Sequence, residues 1–192
     1  MKAFDGYQEA KEASKSSGSG GQLPPGAYVC KILGVKLTER PDKDGDLLQI
    51  QFDIAEGDQK GFFKAKYDAE TKEDKKFKGK VTIYPPNDNT TEAWKKEAFT
   101  RWTNAIEDSN DGYAWDWDEK KWKDKLVGIV FGQTGTVIEG KEIVYTEARF
   151  PISAQNVRSG AAPEAKFKAK NGYGEGGSGA DIPDSISEDL PF

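Results

Sequence analysis

The sequence predicts a mainly β protein: a five-stranded Greek-key barrel with one helix between strands three and four, and with disordered N- and C-terminal tails. Two observations lead to this prediction. Three segments with strand-type patterns are followed by one long helical pattern, and two more strand-type segments follow the helix. Polar segments rich in Gly and Ser precede the first strand and follow the last. A generic α+β domain would share this element order.

The first three strands are predicted from alternation and from the turn residues that bound them. A long β-type run follows "LPPG" and continues through "AYVCKILGVKLTE". In "DLLQIQFDIA" the even-numbered residues from Leu48 to Ile54 are apolar, and the residues between them are polar. "KGFFKAKYDAE" is a short candidate strand. "KVTIYP" is the third main strand, which Pro85 and Pro86 end.

The helix and two more strands complete the order. Apolar residues recur at helical spacing over residues 91–108, and Trp94 and Trp102 are expected in the core. "LVGIVFGQTGTVI" and "EIVYTEARFPI" form two strands joined by a tight turn at residues 139–141. From Arg158 onward, Gly, Ala, Ser and charged residues dominate, and no packed structure is expected. Three strands, a helix and two strands are the element order of an OB-like barrel.

These patterns divide the chain into four parts. Residues 1–22 are a flexible N-terminal arm, 23–157 the OB-like domain, 158–180 a disordered linker and 181–192 an acidic tip. The net charge of −5 arises at the C-terminus, because residues 171–192 contain five of the 33 acidic residues and none of the 28 basic ones. The rest of the chain is therefore neutral, with 28 charges of each sign, and is compatible with an anionic ligand.

Composition argues against most enzymatic and metal-binding functions. The chain has no histidine, the commonest general base and transition-metal ligand. The acids of "DKDGD" have calcium-loop spacing, but a strand pattern follows, and Asp53 stands where such a loop needs glutamate. We therefore expect no catalytic residues, no metal and no cofactor. Cys30 is the only cysteine and no apolar run reaches membrane-helix length, so a cytoplasmic protein without membrane contact is expected.

The segment from Lys60 to Lys80 predicts a nucleic-acid site. It contains eight lysines, four acids and several aromatic residues. Single-stranded nucleic acid needs this combination, because lysines neutralise phosphates while exposed rings stack on bases without reading their identity. The alternative is a solvated, lysine-rich loop whose aromatics turn into the core. The candidate DNA-binding residues, one of them at the end of the third strand, are Lys60, Phe62, Phe63, Lys64, Lys66, Tyr67, Lys76, Phe77, Lys78, Lys80 and Tyr84.

Two further clusters are weaker candidates. Trp115, Trp117 and Trp122 are interpreted as structural residues, because clustered tryptophans more often form a core or a lid than a ligand site. The run "KFKAK" at residues 166–170 is either a solubilising linker or an additional contact with a nucleic-acid backbone. The turn between the last two strands is also expected to make weaker contacts with the DNA.

The C-terminal residues predict a partner-binding tip. A Gly-rich tether leads to acidic residues and then to an aliphatic-Pro-Phe sequence with a free carboxylate. A partner pocket would take the Phe192 ring, and its basic residues would pair with the carboxylates. The tip residues are Glu188, Asp189, Leu190, Pro191 and Phe192.

An OB-like body, a Gly-rich linker and an acidic tip ending in Pro-Phe together resemble the bacterial and phage single-stranded DNA-binding proteins. "LPPGAYVCKI", "LLQIQFDIAEG" and "KGFFKAKY" are similar to segments of the phage-encoded members. The resemblance implies that the tip recruits replication, recombination or repair proteins, and that a phage-encoded chain would act in the host cytoplasm. The usual tip has a denser acidic run, and the common bacterial form lacks a tryptophan-rich segment before the fourth strand.

We therefore expect a non-enzymatic, sequence-independent protein that coats single-stranded DNA in phage replication or recombination. One rival is a protein–protein adaptor or recombination mediator on the same fold with little direct DNA binding. Another is an RNA-binding or anti-host accessory protein. The sequence does not predict the oligomeric state.

Overall fold

Residues 21–174, which the computed structural model describes, form a mixed β-sheet with short helices packed on it. The strands are β1 (Gly26–Thr38), β2 (Leu47–Ile54), β3 (Lys80–Ile83), β4 (Leu126–Ile138), β5 (Lys141–Ile152) and β6 (Lys168–Ala169). The α-helices are α1 (Phe62–Ala69), α2 (Ala93–Glu107) and α3 (Ala154–Arg158), and a 3₁₀ helix covers Glu119–Trp122. The acidic tip and all but the last two residues of the predicted N-terminal arm lie outside the described residues.

The sheet has the strand order β3-β2-β1-β4-β5, and each neighbouring pair is antiparallel. The short strand β6 pairs in parallel with β4. The mainly β fold is confirmed, and a long helix lies between the third and fourth strands as predicted, although a further helix separates β2 from β3. Within residues 21–174 no pairing joins β3 to β5, so the sheet is open there and is not closed into the predicted five-stranded barrel.

Alternation along β2 fixes which face of the sheet is the core. Leu48, Ile50, Phe52 and Ile54 are buried, as the sequence predicts. They pack with residues of β1, β4 and α2, and with Trp122. At the far end of the sheet, β4 and β5 are joined by a two-residue turn in which residues 139 and 140 both have positive φ angles, of 51° and 75°. This geometry is that of a tight hairpin turn, and it confirms the predicted connection.

The segment around Phe62 is helix α1, so the prediction of a strand there, and of a single helix in the fold, is wrong. The cause lies in β2. The buried Asp53 carboxylate accepts backbone N–H groups of Phe63 and Lys64, each at 3.0 Å, at the first turn of α1. These N–H groups have no partner within a helix, and a carboxylate at this end also favours the helix dipole. The tertiary contact thus overrides the local strand pattern.

Helix α2 is confirmed where the sequence predicts it, but one core residue is misassigned. Phe99, Trp102, Ala105 and Ile106 are buried. Trp94 is 57% exposed, so its predicted place in the core is wrong. Eight residues separate it from Trp102, and at about 100° per residue it points about 80° away from that side chain.

The chain after Arg158 is also more ordered than predicted. Residues 160–174 return along β4, where Lys168 pairs with Thr134 and the Lys170 N–H donates to the Gly135 carbonyl at 2.9 Å. The expectation of no packed structure from Arg158 onward is therefore wrong for this segment. We call residues 160–174 the strap.

Gly79, the residue before β3, lies very close to β2 and α1. A Cβ atom there would lie 2.2 Å from the Phe52 carbonyl oxygen and 2.8 Å from the Phe63 ring. Gly79→Ala should therefore lower the free energy of unfolding by about 1–3 kcal/mol, as overpacking does, in urea unfolding followed by tryptophan fluorescence. Gly34→Ala is the matched control, because no atom lies within 4 Å of the added methyl. Equal stability of the two variants would contradict this packing.

Candidate nucleic-acid interface

The sheet presents a polar surface opposite its core, formed by β1, β2 and β3. Lys36, Gln49 and Thr82 lie directly across from one another in register, and Gln51 and Lys80 form the next row. Directly opposed residues of antiparallel strands point to the same face. We call this surface of Lys36, Gln49, Gln51, Lys80 and Thr82 the outer face.

The outer face has two positive charges and no acidic residue. At one end the Tyr84 ring is 46% exposed. The Arg40 guanidinium lies 5.2 Å from the centre of that ring and is itself held by the Gly45 carbonyl. From Lys80 to Tyr84 the chain spans about 13 Å at the usual strand rise. An anionic chain crossing here would meet cations and an aromatic ring without a repelling carboxylate.

A groove of about 280 Å³ adjoins the other end of the outer face. Lys78 contributes to its wall, two residues before Lys80 of the outer face. We call it the Lys66 groove, and its lining residues are Phe63, Lys66, Tyr67, Ala69, Glu70, Lys76 and Lys78. Lys66, Lys76 and Lys78 form no ion pair within residues 21–174. The groove therefore holds three uncompensated cations against one acid.

The pKa of Lys66 in the groove is lowered by its surroundings. Partial desolvation, and then the positive charge of Lys78, lower the pKa of Lys66 below its ordinary value. A lowered lysine pKa means that the protonated form is unfavourable in the folded protein compared with the unfolded chain. A bound anion would remove this penalty, since it would face both ammonium groups.

The aromatic residues of the predicted site divide between the core and the surface. Phe63 packs edge-on against Phe52 at 5.6 Å between ring centres, and is part of the core margin. Phe62 packs against Phe63, with the Lys66 ammonium 5.2 Å from its ring centre. The remaining pair, Tyr67 and Phe77, are half-buried and contact each other near the groove.

The lysines of the predicted site are likewise not equivalent. Lys64 pairs with Asp68 on the exposed side of α1. Lys60 lies before α1, near Glu56, which pairs with Arg158. The structure thus brings Lys66, Lys76 and Lys78 together with Tyr67 and Phe77 at the groove. Lys80 and Tyr84 lie at opposite ends of the outer face. Lys60 and Lys64 lie beside carboxylates.

Two of the four acids of the nearby loop 39–46 have structural partners. Asp44 pairs with Lys95 of α2 at 2.6 Å. Asp46 accepts the Arg40 N–H at 2.9 Å and the Asn87 side-chain amide at 3.1 Å. The charges of Asp44 and Asp46 are thus directed at α2 and at the loop itself. Among residues 21–174 no group of three His, Cys, Asp or Glu residues is arranged to hold a metal ion.

The tryptophan-rich segment is structural in part. Trp122 is fully buried and stacks on Phe99, with 6.1 Å between ring centres, and Trp115 packs beside it. Trp117 is 77% exposed. Trp122 and Trp115 are thus core residues, and the exposed Trp117 contacts the Trp115 ring, with 6.0 Å between ring centres.

Sequence reasoning missed several residues of the interface. Gln49 and Gln51 could have been found, because the alternation in β2 already places them opposite the core. Lys36 could not have been found, because a β-bulge between Ile32 and Gly34 shifts the alternation of β1. Arg40 could not have been found either, because only the folded loop brings it to Tyr84. Trp94 was assigned to the core and instead lines, with Tyr84 and Arg149, a groove of about 290 Å³ between β3 and α2.

The sequence matches no model of a known protein family, and no curated protein is significantly similar to it. In the part of the chain from 21 to 174, no helix is long and apolar enough to cross a membrane.

Repulsion in the Lys66 groove is expected to lower the stability of the folded protein. Because the pKa of Lys66 is lowered in the folded state, its charge opposes folding at neutral pH, and this cost disappears as the pH rises through that pKa. Lys78→Gln removes one source of the repulsion, so the Tm at pH 7 and low salt should stay unchanged or rise in scanning calorimetry.

Lys64→Gln is the matched control on α1. The hydrogen bond that Lys64 donates to the Asp68 carboxylate raises the pKa of Lys64, so its charge favours folding and its loss should leave the Tm unchanged or lower it. A lower Tm for Lys78→Gln than for Lys64→Gln would contradict the proposed repulsion.

Proposed function

We propose that this chain binds single-stranded DNA with little sequence preference and coats it during phage replication or recombination, without a catalytic step. One observation carries the proposal: an acid-free outer face continues into a groove with three lysines that have no ion-pair partner in the described part of the chain. Such a surface suits a polyanion, because each lysine gains a phosphate partner and none loses a carboxylate.

The strand arrangement supports the same proposal. We interpret the order β3-β2-β1-β4-β5, with α2 between β3 and β4, as that of an OB-like barrel opened between its third and fifth strands. OB-folds are partly open barrels that bind oligonucleotides over the face of strands two and three. The outer face lies on those strands, and the Lys66 groove lies at the connection between them.

The side chains available favour binding without sequence readout. Lysine ammonium groups contact phosphates, which are the same at every nucleotide. Tyr84 offers an exposed ring beside Arg40, and stacking on a ring tolerates any base. Gln49, Gln51 and Thr82 are neutral donors and acceptors between these cations, and they suit sugar and phosphate oxygens.

We further propose that Glu188, Asp189, Leu190, Pro191 and Phe192 bind partner proteins, as the resemblance to single-stranded DNA-binding proteins implies. These residues lie outside the described part of the chain, so the proposal rests on the sequence. Eighteen residues separate the last described residue, Gly174, from the end of the chain at Phe192. A chain of that length reaches at most about 60 Å when extended, enough for a partner beside the DNA-binding surface.

The DNA-binding proposal is tested by titrating a fluorescein-labelled oligo-dT with the full chain at several salt concentrations. Binding should weaken steeply with salt, since each phosphate contact contributes about 0.7 to the slope for single strands. The triple variant Lys66→Gln, Lys76→Gln, Lys78→Gln should bind about tenfold or more weakly at low salt, with a slope smaller by about 2.

Lys96→Gln, Lys120→Gln, Lys123→Gln is the control triple, because these exposed lysines lie on α2 and near the 3₁₀ helix and change the net charge equally. It should bind nearly as the unaltered chain does. Equal weakening by both triples would mean that overall charge, and not the groove, governs binding. No binding by the unaltered chain at micromolar concentration and low salt would overturn the proposal and favour the adaptor function.

The tip is tested separately by Phe192→Ala and by deletion of residues 188–192. Deletion removes two carboxylates, so oligo-dT affinity should be unchanged or higher, whereas retention of host replication proteins on immobilised DNA–protein complexes should be lost. Phe192→Ala should keep the DNA affinity and lose the same partners. If deletion abolished DNA binding, the tip would have a different role.

A further inference from the structure

The strap, residues 160–174, is fitted to β4 by specific contacts. β1 pairs with β4 only as far as Phe131, and beyond that residue the free edge of β4 is taken by Lys168 and Ala169. The side-chain amide of Asn171 donates to Thr136 at 3.2 Å, and the Gly174 N–H donates to the Glu142 carboxylate at 2.9 Å. The segment is thus held from the middle of β4 to the hairpin end of β5.

Two glycines of β4 allow this approach. A Cβ on Gly132 would lie 2.6 Å from the Ala165 methyl, and one on Gly135 would lie 2.6 Å from the Tyr173 ring. Glycine weakens a strand interior and is found there where another part of the chain comes close. The approach at Gly135 is made by the strap alone and that at Gly132 by the strap and by the Arg149 side chain, so the sequence of β4 is suited to a strap in this position.

This placement leaves an aromatic residue and two lysines exposed on the strap. Phe167 is 47% exposed although it contacts the Tyr173 ring, with 5.5 Å between ring centres. Its sequence neighbours Lys166 and Lys168 are exposed and form no ion pair within residues 21–174. The third lysine, Lys170, pairs with Glu147 and belongs to the attachment.

The Phe167 ring also borders a concave surface. A groove of about 320 Å³ lies between it and the start of β1, lined on that side by Pro25, Gly26 and Phe131. One carboxylate, that of Glu164, faces this groove. The ring thus contacts Tyr173, tilted by 50° to it, and borders an open groove.

We propose that the strap is a second contact for the single-stranded DNA, with Phe167 stacking on a base and Lys166 and Lys168 pairing with the neighbouring phosphates. This inference rests on the proposed function and extends it to a surface on β4, separate from the outer face and the Lys66 groove. An exposed ring between two uncompensated cations is the arrangement that single-stranded nucleic acid requires. A solubilising linker would not need glycines in β4 to receive it.

Three variants of the full chain test the strap in the oligo-dT titration. Phe167→Ala should weaken binding about tenfold, the usual effect of losing one stacking ring. Phe167→Leu keeps an apolar side chain without a ring and should weaken binding nearly as much. Lys166→Gln, Lys168→Gln should lower the salt slope by about 1.4, and the control Lys120→Gln, Lys123→Gln, with the same change in charge, should leave the slope unchanged.

The outcomes separate this inference from the function on which it rests. If the unaltered chain binds oligo-dT and the groove triple weakens binding, but the strap variants bind as the unaltered chain does, the strap inference is overturned and the proposed function stands. If Phe167→Leu binds as the unaltered chain does while Phe167→Ala does not, stacking is overturned in favour of apolar packing. If the unaltered chain does not bind, both proposals fail.

Discussion

The buried carboxylate of Asp53 is the interaction on which the candidate interface depends. It lies in β2 and accepts two backbone N–H groups at the start of α1, so it joins the sheet to the helix that carries Lys66. Without this acceptor, the first turn of α1 would leave N–H groups unsatisfied beside the core. The close approach of Gly79 to Phe52 and Phe63 completes the junction and brings Lys78 opposite Lys66.

A neutral body can offer a cationic surface because its charges are unevenly placed. Two acids near the interface are held by specific partners, Asp44 by Lys95 and Asp46 by Asn87. The lysines of the Lys66 groove form no ion pair in residues 21–174, and Lys66 is partly desolvated. Clustered, uncompensated charge costs stability, and proteins commonly accept that cost where a ligand of opposite charge binds.

The sequence predicts those features that are set by local patterns. Alternation in β2, the two-residue turn before Lys141 and the helical run of α2 each depend on residues close together in the chain, and all three are found. The features that it misses depend on distant contacts. α1 forms where a strand is predicted because of Asp53, and the strap packs because Gly132 and Gly135 lie on β4 far from it in sequence. The same limit applies to the interface, where only the fold separates core rings such as Phe63 from surface rings such as Tyr84.

Photo-cross-linking of the full chain to an oligo-dT that carries 5-bromodeoxyuridine tests the central claim most directly, since it reports which side chains touch the bases. Peptide mass spectrometry should find cross-links at Tyr84 and in residues 62–80, around the outer face and the Lys66 groove. Cross-links confined to α2 and to the tryptophan-rich segment, residues 93–122, would contradict the account, because they would place the DNA on a different surface.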